Sequence, residues 1–205
     1  HNIRNDLNVI HGRGEQLRAE VESELVAAAD TIVDRADDLL TTSEKSREIT
    51  AVLSEPREPT PIDLGQIARD IADEAADDWP NADIDVRGPI QLLVSATGSI
   101  DTALEELFTN AVIHNDGEEP RVRAELAIDG SWGTLSVRDN GPGIPEFDRD
   151  VLDSGEAVET LSHGSGLGLW VVYWTINHSG GEIHVADREP RGTEITIRLP
   201  LATGR

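Results

Sequence analysis

Asp139-Asn140-Gly141-Pro142-Gly143-Ile144-Pro145, followed by Gly164-Ser165-Gly166-Leu167-Gly168-Leu169, sets two glycine clusters on either side of one short variable segment. That is the layout of a nucleotide site with a lid. Leu135, Val137 and Asp139 alternate, which predicts a strand with a carboxylate at its end. Such a carboxylate accepts from an exocyclic amine, which adenine presents and guanine does not present on the same edge. Gly141 and Gly143 lack a Cβ, so the backbone can take positive φ and approach a flat ring. Pro142 and Pro145 stiffen the turn. Gly164, Gly166 and Gly168 lead into Leu169, Val171, Val172 and Ile176, an apolar run expected to be a buried helix. A helix entered through glycines offers unpaired backbone N–H groups to phosphate oxygens.

Upstream, Leu104, Leu107, Phe108, Ala111 and Val112 mark the apolar face of another helix. Glu106 and Asn110 stand at i and i+4 and so project from one face of it. A carboxylate beside a carboxamide oxygen is a seat for hydrated Mg²⁺, which prefers oxygen ligands and keeps several waters. Asn115 and Asp116 close this helix, with Gly117 as the expected stop.

Taken in order, these segments resemble the ATP-binding domain shared by sensor histidine kinases, gyrase-type topoisomerases and a heat-shock chaperone family. Glu106 to Asn110 match its N box, Asp139 to Gly143 its first glycine box and Gly164 to Gly168 its second. Arg191-Gly192-Thr193-Glu194-Ile195-Thr196-Ile197 is similar to its final Gly-Thr strand. The resemblance spans residues 60 to 205 and implies an α/β sandwich, a mixed sheet covered by helices. ATP would lie between the N-box helix and the lid. It further implies that Asn110, with Glu106, ligates Mg²⁺, that Asp139 binds the adenine amine, and that Glu106 stands where some members place a general base. His114 falls where related kinases place a ring near the adenine. The implied nucleotide contacts are then Asn110, His114, Asp139, Gly141, Gly143, Gly164, Gly166, Leu167, Gly168 and Thr193.

The first sixty residues choose among the branches. Ile3, Leu7, Ile10, Gly14, Leu17 and Val21 follow steps of four and three, and Ala29, Ile32, Ala36, Leu39, Ser43 and Ser46 continue them. That is a heptad seam. It predicts a helical hairpin over residues 1–54, turning near Glu20 to Glu24, with too little core to stand alone. Two copies packed as a dimeric four-helix bundle would bury both seams. Glu55-Pro56-Arg57-Glu58-Pro59-Thr60-Pro61 carries three prolines and no other apolar residue, so residues 55–61 read as a stiff linker. Residues 62–205 form the expected ATP-binding domain, opened by Ile62, Leu64, Ile67 and Ile71.

His1-Asn2-Ile3-Arg4-Asn5-Asp6-Leu7 resembles the H box of histidine kinases, which implies His1 as the phosphoryl acceptor. Neutral imidazole is nucleophilic near pH 7 because its unperturbed pKa is about 6.5. Asn2 replaces the usual acidic residue after the histidine, and Asn5 matches the position that orients water for dephosphorylation. His11 is the competing acceptor. The resemblance implies a homodimer, a response-regulator receiver domain as partner, and a sensing region upstream.

The composition agrees with that branch. The formal charge is −23, from 17 basic and 40 acidic residues, and Lys45 is the only lysine. So acidic a surface repels nucleic acid, which weighs against a topoisomerase. Abundant Asp and Glu with almost no Lys resembles proteins of salt-accumulating halophiles, the halophilic archaea among them. Cysteine is absent, excluding disulfides and thiolate metal sites. No apolar run approaches the length that crosses a bilayer, so the expectation is a cytoplasmic location for this part of the protein, with any membrane anchor lying upstream. Glu146 to His163 is the expected lid, acidic and containing Gly155. Trp79, Trp132, Trp170, Tyr173 and Trp174 are expected to pack in the core. The leading expectation is an ATP-dependent protein-histidine kinase core. A nucleotide-responsive interaction module without phosphoryl transfer is the alternative, and an ATPase of the topoisomerase or chaperone branch the third.

Overall fold

The computed structural model describes residues 58–145 and 167–202, together with residues 10–12, 30–33, 36, 39–40, 149, 151 and 152. The expected hairpin and lid therefore lie largely outside the described residues. Within 1–54 the described positions are helical.

Strand β1 (Thr60–Asp63) leads directly into helix α1 (Leu64–Asp78). Asp63 is the N-cap: its Oδ1 accepts from Gly65 N at 3.1 Å and Gln66 N at 3.3 Å. The same oxygen accepts from Leu92 N at 3.0 Å, tying the start of the helix to the segment before β3 (Leu93–Ala96). Leu64, Ala68, Ile71, Ala72 and Ala75 are buried, one face at helical spacing. The helix stops at Trp79, before Pro80, because the residue preceding a proline is disfavoured in α geometry. Strands β1 and β3 pair antiparallel, with Thr60 opposite Ala96. Thr60 and Pro61, expected in the linker, are thus strand residues. At the edge of a two-stranded sheet Pro61 is tolerated because its missing N–H costs little.

The main sheet holds β2 (Asp83–Arg87), β4 (Arg121–Asp129), β5 (Trp132–Arg138), β6 (Glu182–Asp187) and β7 (Thr193–Pro200), in the order β2-β4-β5-β7-β6. Only β2 and β4 run parallel, so the sheet is mixed. Its two faces follow the period of two. Val122, Ala124 and Leu126 of β4, Leu135 and Val137 of β5, and Ile195, Ile197 and Leu199 of β7 are buried. They meet α1, helix α2 (Ile100–Ile113) and helix α3 (Leu167–His178) in one core. Leu104, Leu107 and Phe108 of α2 contribute side chains at most 2% exposed, each stabilising by roughly 1.5–3 kcal/mol on the scale of full side-chain burial.

The opposite face is polar and solvated. Arg138 bridges Glu125 at 2.8 Å and Glu194 at 2.9 Å, and those two carboxylates raise the affinity of its guanidinium for its proton. Arg198 bridges Glu182 at 3.0 Å and Asp129 at 3.2 Å and lies 5.2 Å from the centre of the Trp132 ring. Trp132, expected in the core, therefore belongs to the outer face, where its ring carries a cation. Trp79, Trp170 and Tyr173 do pack against the core from its margin. Trp170, Trp174 and His178 stack along α3 in steps of four, with centroids 5.3 and 5.2 Å apart. At the far end of α3, Ser179 Oγ donates to Thr175 O and accepts from Thr97 N, a buried tie between this helix and the approach to α2.

Burial pushes the Asp63 carboxyl up, but the amides of Leu92, Gln66 and Gly65 and the Gln91 side chain together hold it below the usual carboxylate range. A depressed folded-state pKa contributes stability above the unfolded value near 3.8, and that contribution is lost as pH falls through the folded value. We predict that Asp63→Ala lowers the unfolding free energy at pH 7 by about 1–2 kcal/mol. Urea denaturation should show the gap between wild type and variant narrowing as the pH drops below 3.8.

Candidate nucleotide site

The ladder between β5 and β7 ends at Arg138 opposite Glu194, and one further pair closes it. Asp139 N donates to Thr193 O at 3.0 Å. The Asp139 carboxylate then turns back on its own backbone: Oδ1 accepts from Gly141 N at 2.7 Å and from Thr193 N at 3.2 Å. Two amides thus hold one oxygen of a half-buried carboxylate at the strand end. Two amide donors to one carboxylate oxygen fix the rotamer, so the second oxygen is the one left for a ligand's N–H.

Glycines allow this closeness at two points. Gly192 has φ +114°, and a Cβ on it would lie 2.2 Å from Asp139 O. Any side chain there would push β7 away from Asp139. Gly143 has φ +98° with open space around its missing Cβ, so a flat group can come near the turn without a clash.

Helix α2 carries Glu106 and Asn110. Both are half-buried, one turn apart. The helix ends at Ile113 with His114 as C-cap, whose N–H reaches Asn110 O at 3.2 Å. Gly117, expected as the stop, lies beyond the end and donates to Asn115 Oδ1 at 2.9 Å. An asparagine-centred turn reverses the chain, so a left-handed glycine is not required. The Asn115 side chain donates to Asn140 Oδ1 at 2.7 Å, and the same oxygen accepts from Arg121 N at 2.8 Å. Asn140 Nδ2 donates to Glu119 O at 3.3 Å. The segment after α2 is thereby stitched to the turn after β5. His114 itself is exposed.

Of the residues expected from sequence, the fold brings Asp139, Gly141, Gly143 and Thr193 into one turn-and-strand unit, while Asn110 and Glu106 stand on α2, whose following segment reaches that turn through Asn115. Gly168 is buried in the first turn of α3, and Leu167 begins that helix. Gly164 and Gly166 lie outside the described residues, as do His1 and Asn5. Asn140 and Arg188 carry structural bonds that local pattern did not reveal, since their partners stand 19 to 49 positions away. The one available signal was a side-chain amide directly after a strand-end carboxylate, a common turn residue. Among the described residues, no three His, Cys, Asp or Glu side chains gather as a closed metal cage, and no helix is long and apolar enough to cross a membrane.

Comparison with known proteins supplies the family. Residues 96–203 match the family described as histidine kinase-, DNA gyrase B- and HSP90-like ATPase. The sensor-type histidine kinase PrrB of Mycobacterium tuberculosis is 28% identical over 151 residues, covering 72% of this chain and 33% of PrrB. The signal transduction histidine-protein kinase AfsQ2 of Streptomyces coelicolor is 39% identical over 107 residues, 49% of this chain and 19% of AfsQ2. Among solved structures, the mycobacterial sensor histidine kinase MprB superposes with a TM-score of 0.59 at 26% identity, over 71% of this chain and all of that one. The chain thus spans a third or less of the length of these curated relatives. On its glycine turn, its N-box helix and this match, the chain belongs to the histidine kinase-, DNA gyrase B- and HSP90-like ATPase family.

Proposed function

We propose that this chain is the kinase core of a two-component sensor, an ATP-dependent protein-histidine kinase that phosphorylates His1 and hands the phosphoryl group to an aspartate of a response-regulator receiver domain. The observation that carries it is the Asp139 carboxylate pinned by Gly141 N and Thr193 N at the end of β5. Such an acceptor is suited to the amine of adenine. The relatives named above are called histidine kinases, and the His1-to-Leu7 segment supplies the acceptor that such an activity needs.

In this mechanism Asp139 takes the 6-amino group of adenine on its second carboxylate oxygen, and the turn through Gly143 admits the ring. Glu106 and Asn110 would hold Mg²⁺, which their half-buried oxygens suit and which prefers oxygen ligands. When bound, the ion neutralises phosphate charge. The Gly164 to Gly168 segment, of which only Gly168 and Leu167 lie among the described residues, would supply backbone N–H groups to the polyphosphate. The imidazole of His1 attacks the γ-phosphorus in line, forming an N–P bond while the bond to the bridging oxygen breaks and ADP leaves with the electron pair. Glu106 would take the imidazole proton, and Asn5 would orient water when phosphohistidine is hydrolysed.

Residues 1–54 would form the dimerising hairpin, joined through the proline-rich segment to the domain that opens at Thr60. In the single chain Ile10, Ile32 and Leu39 remain 47%, 43% and 54% exposed, which suits a seam that a second copy covers. The substitution of Asn2 for an acid favours a second reading, a nucleotide-responsive module that changes shape without transfer.

Titration of the intact chain with ATP and Mg²⁺ in concentrated potassium chloride, which screens its −23 charge, is expected to give saturable heat. Asp139→Asn should weaken binding by roughly tenfold or more, because a carboxylate acceptor is replaced by a weaker amide. A second prediction concerns transfer: γ-labelled ATP should leave acid-labile label on the protein, absent in His1→Gln. Label surviving in that variant would move the acceptor to His11 or elsewhere, and ATP binding without any label would favour the second reading.

A further inference from the structure

Three arginines converge on the turn that follows β5. Arg188 Nη1 donates to Asp139 O at 3.0 Å, Arg191 Nε to Gly141 O at 3.0 Å, and Arg149 Nε makes a long contact of 3.5 Å to Ile144 O. A chain with 17 basic residues against 40 acidic ones has little positive charge to place, and three of its arginines bond to the short run from Asp139 to Ile144. Two of the three are also held by carboxylates, Arg149 by Asp187 and Arg191 by Asp116.

Arg191 is the informative member, because one planar group joins three segments. It belongs to the connection between β6 and β7, its Nε grips the turn after β5, and its Nη2 grips Asp116 beyond the end of α2. A guanidinium has separate N–H groups fixed in one plane and can serve two acceptors in set directions, which an ammonium cannot match. The ion pair is about half exposed on each side, at 48% and 59%, so by itself it adds little stability. Its effect is on position.

Gly141 shows where that effect arrives. Its N–H donates to Asp139 Oδ1 at 2.7 Å, while its carbonyl accepts from Arg191 at 3.0 Å. Both polar groups of this residue are engaged, one by the carboxylate proposed to read adenine and the other by the guanidinium. Releasing the carbonyl loosens the residue whose N–H orients Asp139.

We propose that Arg191, held in place by Asp116, is a positioning residue for nucleotide recognition: it fixes Gly141 and through it the rotamer of Asp139, and so sets both affinity for adenine nucleotide and discrimination by the 6-amino group. This rests on the ATP-binding reading above. Arg191 does not touch the nucleotide in this scheme, and its influence passes through the Gly141 amide.

The test compares ATP with purine riboside triphosphate, which lacks the 6-amino group, by calorimetric titration of the full chain with Mg²⁺. Wild type should prefer ATP. In Arg191→Gln, ATP binding should weaken by roughly three- to tenfold, the scale of losing a hydrogen bond from a charged donor at a partly exposed site. The amino-free analogue should bind nearly as before, so the ratio of the two Kd values shrinks. Loss of general stability would weaken both ligands alike and leave that ratio unmoved. Arg191→Lys should not restore the ratio. Asp116→Ala, which leaves the arginine but removes its anchor, should shift the ratio in the same direction by less. If Arg191→Gln does not fold, as judged by circular dichroism, Asp116→Ala decides alone. Ratios equal to wild type in the folded variants overturn the proposal, whereas a wild type that binds neither nucleotide overturns the ATP-binding reading instead.

Discussion

Gly192 passes so near Asp139 that an added Cβ would sit 2.2 Å from the Asp139 carbonyl oxygen. That close passage brings Thr193 against the end of β5, where its N–H meets the Asp139 carboxylate and its carbonyl takes the Asp139 amide. The last rung between β5 and β7 is therefore part of the candidate site. The turn through Gly141, the amide stitching of Asn115 and Asn140, and the reach of Arg191 are all measured from it. The segment after helix α2 joins this arrangement through the Asn115–Asn140 bond, while the buried Leu104, Leu107 and Phe108 seat the helix itself in the core.

Much of this was legible in the chain. Alternation in Leu135 and Val137 gave β5, with the Asp139 carboxylate directly after its last residue, and the helical spacing of Leu104, Leu107, Phe108 and Val112 gave α2 with its buried face. Burial period is a local property, and it survives into the fold. What was not legible depends on partners far away. Thr60 and Pro61 read as linker because proline content describes the unpaired chain, whereas β3 supplies a strand for them to lie against. Trp132 read as core because its ring is large, yet its place in the alternation puts it outside, under Arg198. Gly117 read as a helix stop because glycine commonly is one, while the Asn115 side chain had already turned the chain. The bonds of Arg188 and Arg191 to the glycine turn span 49 and 50 positions, and no local pattern encodes a donor's distant acceptor.

The scarcity of positive charge shapes how it is used. Arg138 and Arg198 each serve two carboxylates on the open face of the sheet, and Arg123 serves Asp83, whose carboxyl it holds below the usual range. Arg69 shows the same economy with neutral partners, donating to the carbonyls of Gly65, Gly88, Pro89 and Ile90. Arginine suits this use because its five donors point in fixed directions, and one side chain can close several acceptors at once. Long flexible lysines would give the same charge with less order.

The outermost strands carry a consequence of that surface. Strand β2 presents Asp83, Asp85 and Arg87 along one rim of the sheet, and β6 presents Glu182 and Asp187 along the other. A strand arriving from another molecule would have to strip water from these ionic groups before it could bond to either rim. The sheet is thereby discouraged from growing by strand addition. A second copy approaching either rim therefore meets charge before it meets backbone.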